Sequence, residues 1–179
     1  MALSATLHSV ALQLSDVDRG VYQTLELKLA RHPSETAEFM LTRLLAYGLE
    51  YREGIAFTEG VAAVDEPAVL VRDLTGRITA WIEVGAPDAA RLHRGMKHAG
   101  CAAVYTHRPA ALLLAQFAGQ KIHRPAEIPL YAPVPEFIKS AAAALDRRHS
   151  AGLSVTEPQT LPDINGSGFS AAIAGHRPA

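Results

Sequence analysis

Residues 65–97 read DEPAVLVRDLTGRITAWIEVGAPDAARLHRGMK, and the reading of this stretch decides the fold. The acidic pair Asp65-Glu66 precedes Pro67, and residues 67–73 are apolar enough for a strand. Asp73-Leu74-Thr75-Gly76-Arg77 carries turn residues, with Thr75-Gly76 as the expected two-residue hairpin loop. Residues 78–85 form the second strand, with one carboxylate, Glu83, in an otherwise apolar run. A helix over 87–99 follows at once and ends at Gly100, a residue common just past a helix end. Strand, tight turn, strand and basic helix is the order a two-carboxylate magnesium site on a β-sheet requires. Gly85 stands where such a site expects a basic residue.

Strand alternation sharpens this picture. Ile78, Ala80, Ile82 and Val84 share one face, while Thr79, Trp81, Glu83 and Gly85 share the other. Glu83 therefore lies beside an indole, where a carboxylate needs a cation, a metal or hydrogen bonds. With a Thr75-Gly76 loop, Leu74 faces Arg77, Ala68 faces Glu83, and Glu66 faces Gly85. An odd-length loop or a bulge brings Asp65 to that side instead. Two carboxylates one pair apart can share a hard divalent ion, so Glu83, Glu66 and Asp65 are the candidate metal ligands and Mg²⁺ the expected ion. The plainer alternative is a Glu83 paired with an arginine, below a solvated acidic turn.

Working outward, a third acid is sought on the helix expected over 34–52, which His32-Pro33-Ser34-Glu35 introduces. Its buried stripe is Ala37, Met40, Leu41, Leu44, Leu45 and Leu49; Glu38 falls inside that arc, Glu35 just off it, and Arg43 on the polar side. A phosphodiester site also wants a cation to steady developing charge. Arg91, Arg94 and Lys97 of the 87–99 helix are the candidates, since one of them can reach back across the space that Gly85 leaves.

The remaining elements are strands over 5–14 and 21–30, a short strand over 55–59, and a strand over 101–105 opened by Cys101. Then come a helix over 110–118, a strand over 128–134, a helix over 135–147, a hairpin from 151–157 and 168–174, and a loose tail. The order is α/β with a mixed sheet, and 179 residues suit one domain.

Apolar residues make up 49% and charged ones 20% of the chain, and 17 basic against 18 acidic residues leave a net charge of −1. That balance excludes holding duplex nucleic acid by bulk charge, so any nucleic-acid contact is expected from a local patch. One cysteine excludes an internal disulfide and suits a reducing compartment; packing is its expected role. No CxxC, HxxxH, GxSxG, P-loop or GxGxxG occurs. A monomer in the cytoplasm, off the membrane, is expected.

With these residues in view, the chain resembles the YaeQ family of bacterial proteins. The likeness lies in Ala30-Arg31-His32-Pro33-Ser34-Glu35-Thr36, Arg43-Leu44-Leu45-Ala46, Asp65-Glu66-Pro67 and Trp81-Ile82-Glu83-Val84-Gly85-Ala86-Pro87-Asp88. The resemblance implies a variant of the PD-(D/E)xK nuclease-like fold, an α-β-β-β-α-β core over 34–106 with a further hairpin sheet from the terminal segments. It implies magnesium-dependent nuclease ancestry, without a settled activity. By position the acids would be Asp65 or Glu66 with Glu83, and the helical acid Glu35 or Glu38. The lysine is replaced by Gly85, and the family favours Arg94 as the basic substitute. The expected function is a phosphodiesterase acting on nucleic acid; the alternative is an inactive nuclease-like fold serving as a binding or regulatory module.

Overall fold

The structure is a computed structural model that describes residues 4–60, 64–156, 159–168 and 173–176. In chain order the elements are β1 (Thr6–Asp16), β2 (Val21–Arg31), α1 (Ala37–Leu49), β3 (Ile55–Phe57), β4 (Val69–Arg72), β5 (Ile78–Val84), α2 (Ala89–Ala99), β6 (Ala102–Tyr105), α3 (Ala110–Phe117), β7 (Leu130–Pro133), α4 (Pro135–Ala143), β8 (Arg148–Thr156), β9 (Gln159–Ile164), β10 (Ser167–Gly168) and β11 (Ile173–His176). This is a mixed α+β protein with two mixed sheets and, among the described residues, four α-helices. The chain divides into two compact units, 1–41 with 133–173, and 42–132 with 174–179. None of the described helices is long and apolar enough to cross a membrane.

The first unit holds the sheet ordered β10-β9-β8-β1-β2. β1 and β2 form the expected hairpin, antiparallel with Thr6 opposite Arg31 and Asp16 opposite Val21. Asp16 closes its turn by accepting from the Arg19 backbone N–H at 2.9 Å and from Arg19 Nε at 2.6 Å. β8 runs parallel to β1, and β9 turns back along β8. Alternation buries Val10, Leu12 and Leu14 of β1 with Leu29, Ala151 and Leu153. Of the expected strand 151–157, residue 157 lies outside the described residues, and the hairpin partner of 151–156 is 159–164, not 168–174. Residues 169–172 of that expected strand lie outside the described ones, and 173–176 join the other sheet as β11.

The second unit holds the sheet ordered β11-β7-β6-β5-β4-β3. β3, β4 and β5 are antiparallel, and β5, β6 and β7 are parallel, with α2 and α3 as the crossovers. Its core gathers Leu70, Trp81, Leu92, Met96, Val104 and Leu113, each worth roughly 1.5–3 kcal/mol when withdrawn from water.

Several boundaries differ from the sequence expectation for physical reasons. α1 begins at Ala37 rather than near Ser34, because Thr36 Oγ1 caps it by accepting from the Phe39 N–H at 3.1 Å. Ser34 is instead engaged with the His32 ring. α4 ends at Ala143, short of Arg147. Cys101 is exposed, ahead of β6 rather than packed in it. The β4–β5 turn closes on Asp73 and Arg77, whose N–H and carbonyl meet at 3.0 Å, so three residues form the loop and not two. An irregularity between Val71 and Arg72 then cancels the slip, and Val69 faces Ile82 as the shorter loop would have placed it.

At the polar end of the first unit's buried face, His8 and His149 are each 6% exposed. The Nδ1 of each donates to one carbonyl oxygen, that of Asp146, at 2.9 and 2.8 Å. A carbonyl can only accept, so both neutral rings carry their proton on Nδ1. Burial holds the His149 pKa below the ordinary 6.5, the Asp146 carbonyl bond opposes this, and the charge of His8 adds to it. As pH falls below 6.5 the unfolded chain takes up a proton that the folded ring resists, so stability falls on acidification. Denaturant unfolding between about pH 7.5 and about pH 5.5 should show this loss, and His149→Gln should flatten it.

Candidate carboxylate site

β5 presents Glu83 on the face it shares with Trp81, as alternation requires, and the carboxylate is only 3% exposed. Its charge is compensated from two sides. Trp81 Nε1 donates to Oε1 at 2.8 Å, and Arg91 Nε donates to the same oxygen at 3.0 Å. Arg91 Nη2 lies 3.4 Å from Oε2.

The local sequence explains why Arg91 arrives there. Asp88 caps α2 by accepting from the Arg91 N–H at 2.7 Å, which fixes Arg91 in the first turn. One turn later, a Cβ on Gly95 would stand 2.4 Å from the Trp81 ring. Gly95 therefore lets the helix lie against the indole, and Arg91, four residues earlier on the same face, covers Glu83.

The acidic loop is held by its backbone. Arg91 donates to the carbonyls of Val64 at 3.0 Å and Glu66 at 2.8 Å. The Glu66 carboxylate turns to Arg72, whose Nη2 is 2.7 Å away, and does not reach the face of Glu83. Nor does Glu66 pair with Gly85, because β4 begins only at Val69. The Asp65 side chain is 87% exposed, with Arg94 at 3.8 Å. Arg94 thus meets Asp65 and not Glu83, and Lys97 is exposed.

Gly85 is not an open space. It is buried at φ +88°, and its N–H donates to the Tyr105 carbonyl at 2.8 Å. A lysine there would meet the left-handed backbone that L-residues avoid. Glu35, buried just ahead of α1, and Glu38, half-buried in its first turn, belong to the first unit.

This donor set does not fit a magnesium ion. Oε1 of Glu83 already accepts two N–H groups, and the Glu66 and Asp65 side chains serve arginines of their own. Among the described residues no three His, Cys, Asp or Glu side chains converge closely enough to hold a metal. What the arrangement does is neutralise one buried carboxylate and tie a strand, a helix and a loop together.

The sequence reading missed Arg43, placed on the polar side of α1 but fully buried. Its Nη2 donates to the Thr58 carbonyl at 2.8 Å, and its guanidinium lies 5.6 Å from the Phe57 ring centre. The signal was present: residues 40–48 hold only Thr42 and Arg43 as strongly polar groups, and a helix apolar nearly all round is buried all round.

Fold and site together define a mixed α+β protein built around a strand–helix ion pair. The chain belongs to the YaeQ family, whose description, YaeQ protein, matches residues 1–170. It is 40% identical over 111 residues to the relative from Escherichia coli (strain K12) described as "Uncharacterized protein YaeQ", a match covering 62% of this chain and 61% of that one. The relative from Salmonella typhi is 39% identical over the same length and shares. The chain thus spans about 61% of the length of the curated relatives it matches. The crystal structure of the YaeQ protein from Pseudomonas syringae superposes with a TM-score of 0.86 at 28% identity, covering 96% of this chain and 95% of that one. That of the Xanthomonas axonopodis pv. citri protein has the same fold, with a TM-score of 0.82 at 24% identity over 98% and 100% of the two chains.

Arg91→Met should cost about 3–5 kcal/mol, because it strands a buried charge. Glu83→Gln in that background should recover much of the loss, and a double-mutant cycle in urea measures the coupling. A cost below about 1 kcal/mol, the range of exposed pairs, would refute this role for Arg91. Gly85→Lys should lower stability by about 1–3 kcal/mol through backbone strain, read as a fall in Tm.

Proposed function

We propose that this chain is a nuclease-like fold whose carboxylate site has become a structural clasp, leaving a binding or regulatory module rather than a phosphodiesterase. The reading extends the family's restriction-endonuclease-like core, an α-β-β-β-α-β order, to this protein. It rests on one observation, that Glu83 Oε1 accepts from both Trp81 and Arg91. A catalytic carboxylate must offer an oxygen to a metal or to water, and here two donors occupy Oε1 while Arg91 Nη2 stands 3.4 Å from Oε2. The left-handed backbone at Gly85 supports the same reading, since the basic residue of a working site would be strained there.

The catalytic alternative, with Glu83, Asp65 and Glu66 on Mg²⁺, Glu35 or Glu38 as a further acid and Arg94, Arg91 or Lys97 on the phosphate, draws its support from the acids that persist. It requires Glu83 to exchange Arg91 for a metal. A cleavage screen over single-stranded, duplex, flap and RNA substrates, with and without Mg²⁺, separates the two. Cleavage by the native chain should not exceed that by Glu83→Gln. Magnesium-dependent cleavage that Glu83→Gln abolishes would overturn the proposal and establish the phosphodiesterase.

A further inference from the structure

A second polar constellation lies in the first unit, independent of how Glu83 is read. Thr6, His8, Arg31, His32, Asp146 and Arg147 line a cavity of about 390 Å³, within the size range of small-ligand sites. Strand pairing builds one wall, because Thr6 and Arg31 are directly opposite across β1 and β2.

The hydrogen-bonding capacity left over in this cavity is specific. Arg31 gives its Nε to the Glu35 carbonyl at 3.0 Å, which fixes the guanidinium plane. Its two terminal nitrogens meet no protein acceptor among the described residues, and neither does the Arg147 guanidinium. The lining carboxylate, Asp146, has Oδ1 engaged by the backbone N–H of Arg147 at 2.7 Å. His32 Nδ1 accepts from the Ser34 N–H at 3.2 Å, so the neutral ring carries its proton on Nε2 and offers a donor. His8 is the reverse. Its Nδ1 donates to Asp146, which leaves Nε2 as an acceptor.

Two arginine forks, an imidazole donor and a hydroxyl match the oxygens of a phosphate, which Arg binds through paired N–H groups. The acceptor left on the His8 ring matches a hydroxyl beside it. We propose that this cavity binds a small phosphate monoester that carries hydroxyl groups, with Arg31 and Arg147 on the phosphoryl oxygens and His8 Nε2 accepting from a ligand hydroxyl.

Calorimetric titration of the full chain at about 0.15 M ionic strength, with inorganic phosphate and with ribose 5-phosphate, tests this. Both should bind saturably, ribose 5-phosphate about tenfold more tightly. Arg31→Gln and Arg147→Gln should each weaken phosphate about tenfold, while Lys139→Gln, an exposed control, should not. Among the described residues the Arg147 guanidinium has no hydrogen-bond or ion-pair partner, so its variant remains informative should Arg31→Gln unfold. No saturable binding of phosphate up to about 20 mM, or affinity unmoved by Arg147→Gln, would overturn the site. Ribose 5-phosphate binding no tighter than phosphate would overturn the role given to His8.

Discussion

A carboxylate withdrawn from water must be matched charge for charge, and in this protein that requirement falls on Glu83. Its neutralisation by Arg91 sets the position of α2 over β5, and the same guanidinium anchors the carbonyls of residues 64 and 66. One desolvated charge thereby fixes a strand, a helix and a loop that apolar packing alone would let slide. The Asp88 cap and the missing side chain at Gly95 are the accessories that make the reach possible. The acidic loop enters this arrangement through its backbone, and its carboxylates face other partners.

Much of this was legible in the sequence, for identifiable reasons. Alternation in 78–85 put Glu83 and Trp81 on one face, and the Gly100 signal placed the end of α2. The Val69–Ile82 register was also anticipated, though only because a longer loop and a bulge cancel. Neither was readable: loop length depends on the Asp73 side chain capturing the N–H groups of Thr75 and Arg77, a local competition that residue type alone does not decide. Arg43 was misplaced because a helical wheel assumes a solvated side, and α1 has none between residues 40 and 48. Which arginine takes which acid was equally hidden, since Arg72, Arg91 and Arg94 all stand within reach of the 64–66 loop and distances of a few ångströms decide the pairing. The partner of β8 escaped for a further reason: residues 159–164 include Pro162, which lowers the strand signal without preventing an outer position in the pairing.

Membership of the YaeQ family and a shared fold carry no activity by themselves. The chemistry has to be argued from the site, and the two sites differ in kind. At Glu83 nearly every polar atom is spoken for, which is the mark of a structural pair. At the Arg31–Arg147 cavity, donors and acceptors remain uncommitted, which is the mark of a surface waiting for a ligand.

The parallel pairing of β1 with β8 joins segments far apart in the chain, as the 138-residue separation of His8 and Asp146 shows. The ribosome therefore delivers the first hairpin long before the strand that completes its sheet. Residues 42–132 are contiguous and can condense while that hairpin waits with an open edge. The Asp146 carbonyl that gathers both histidines is thus one of the last contacts made, and the phosphate cavity comes into being only when the fold is nearly finished.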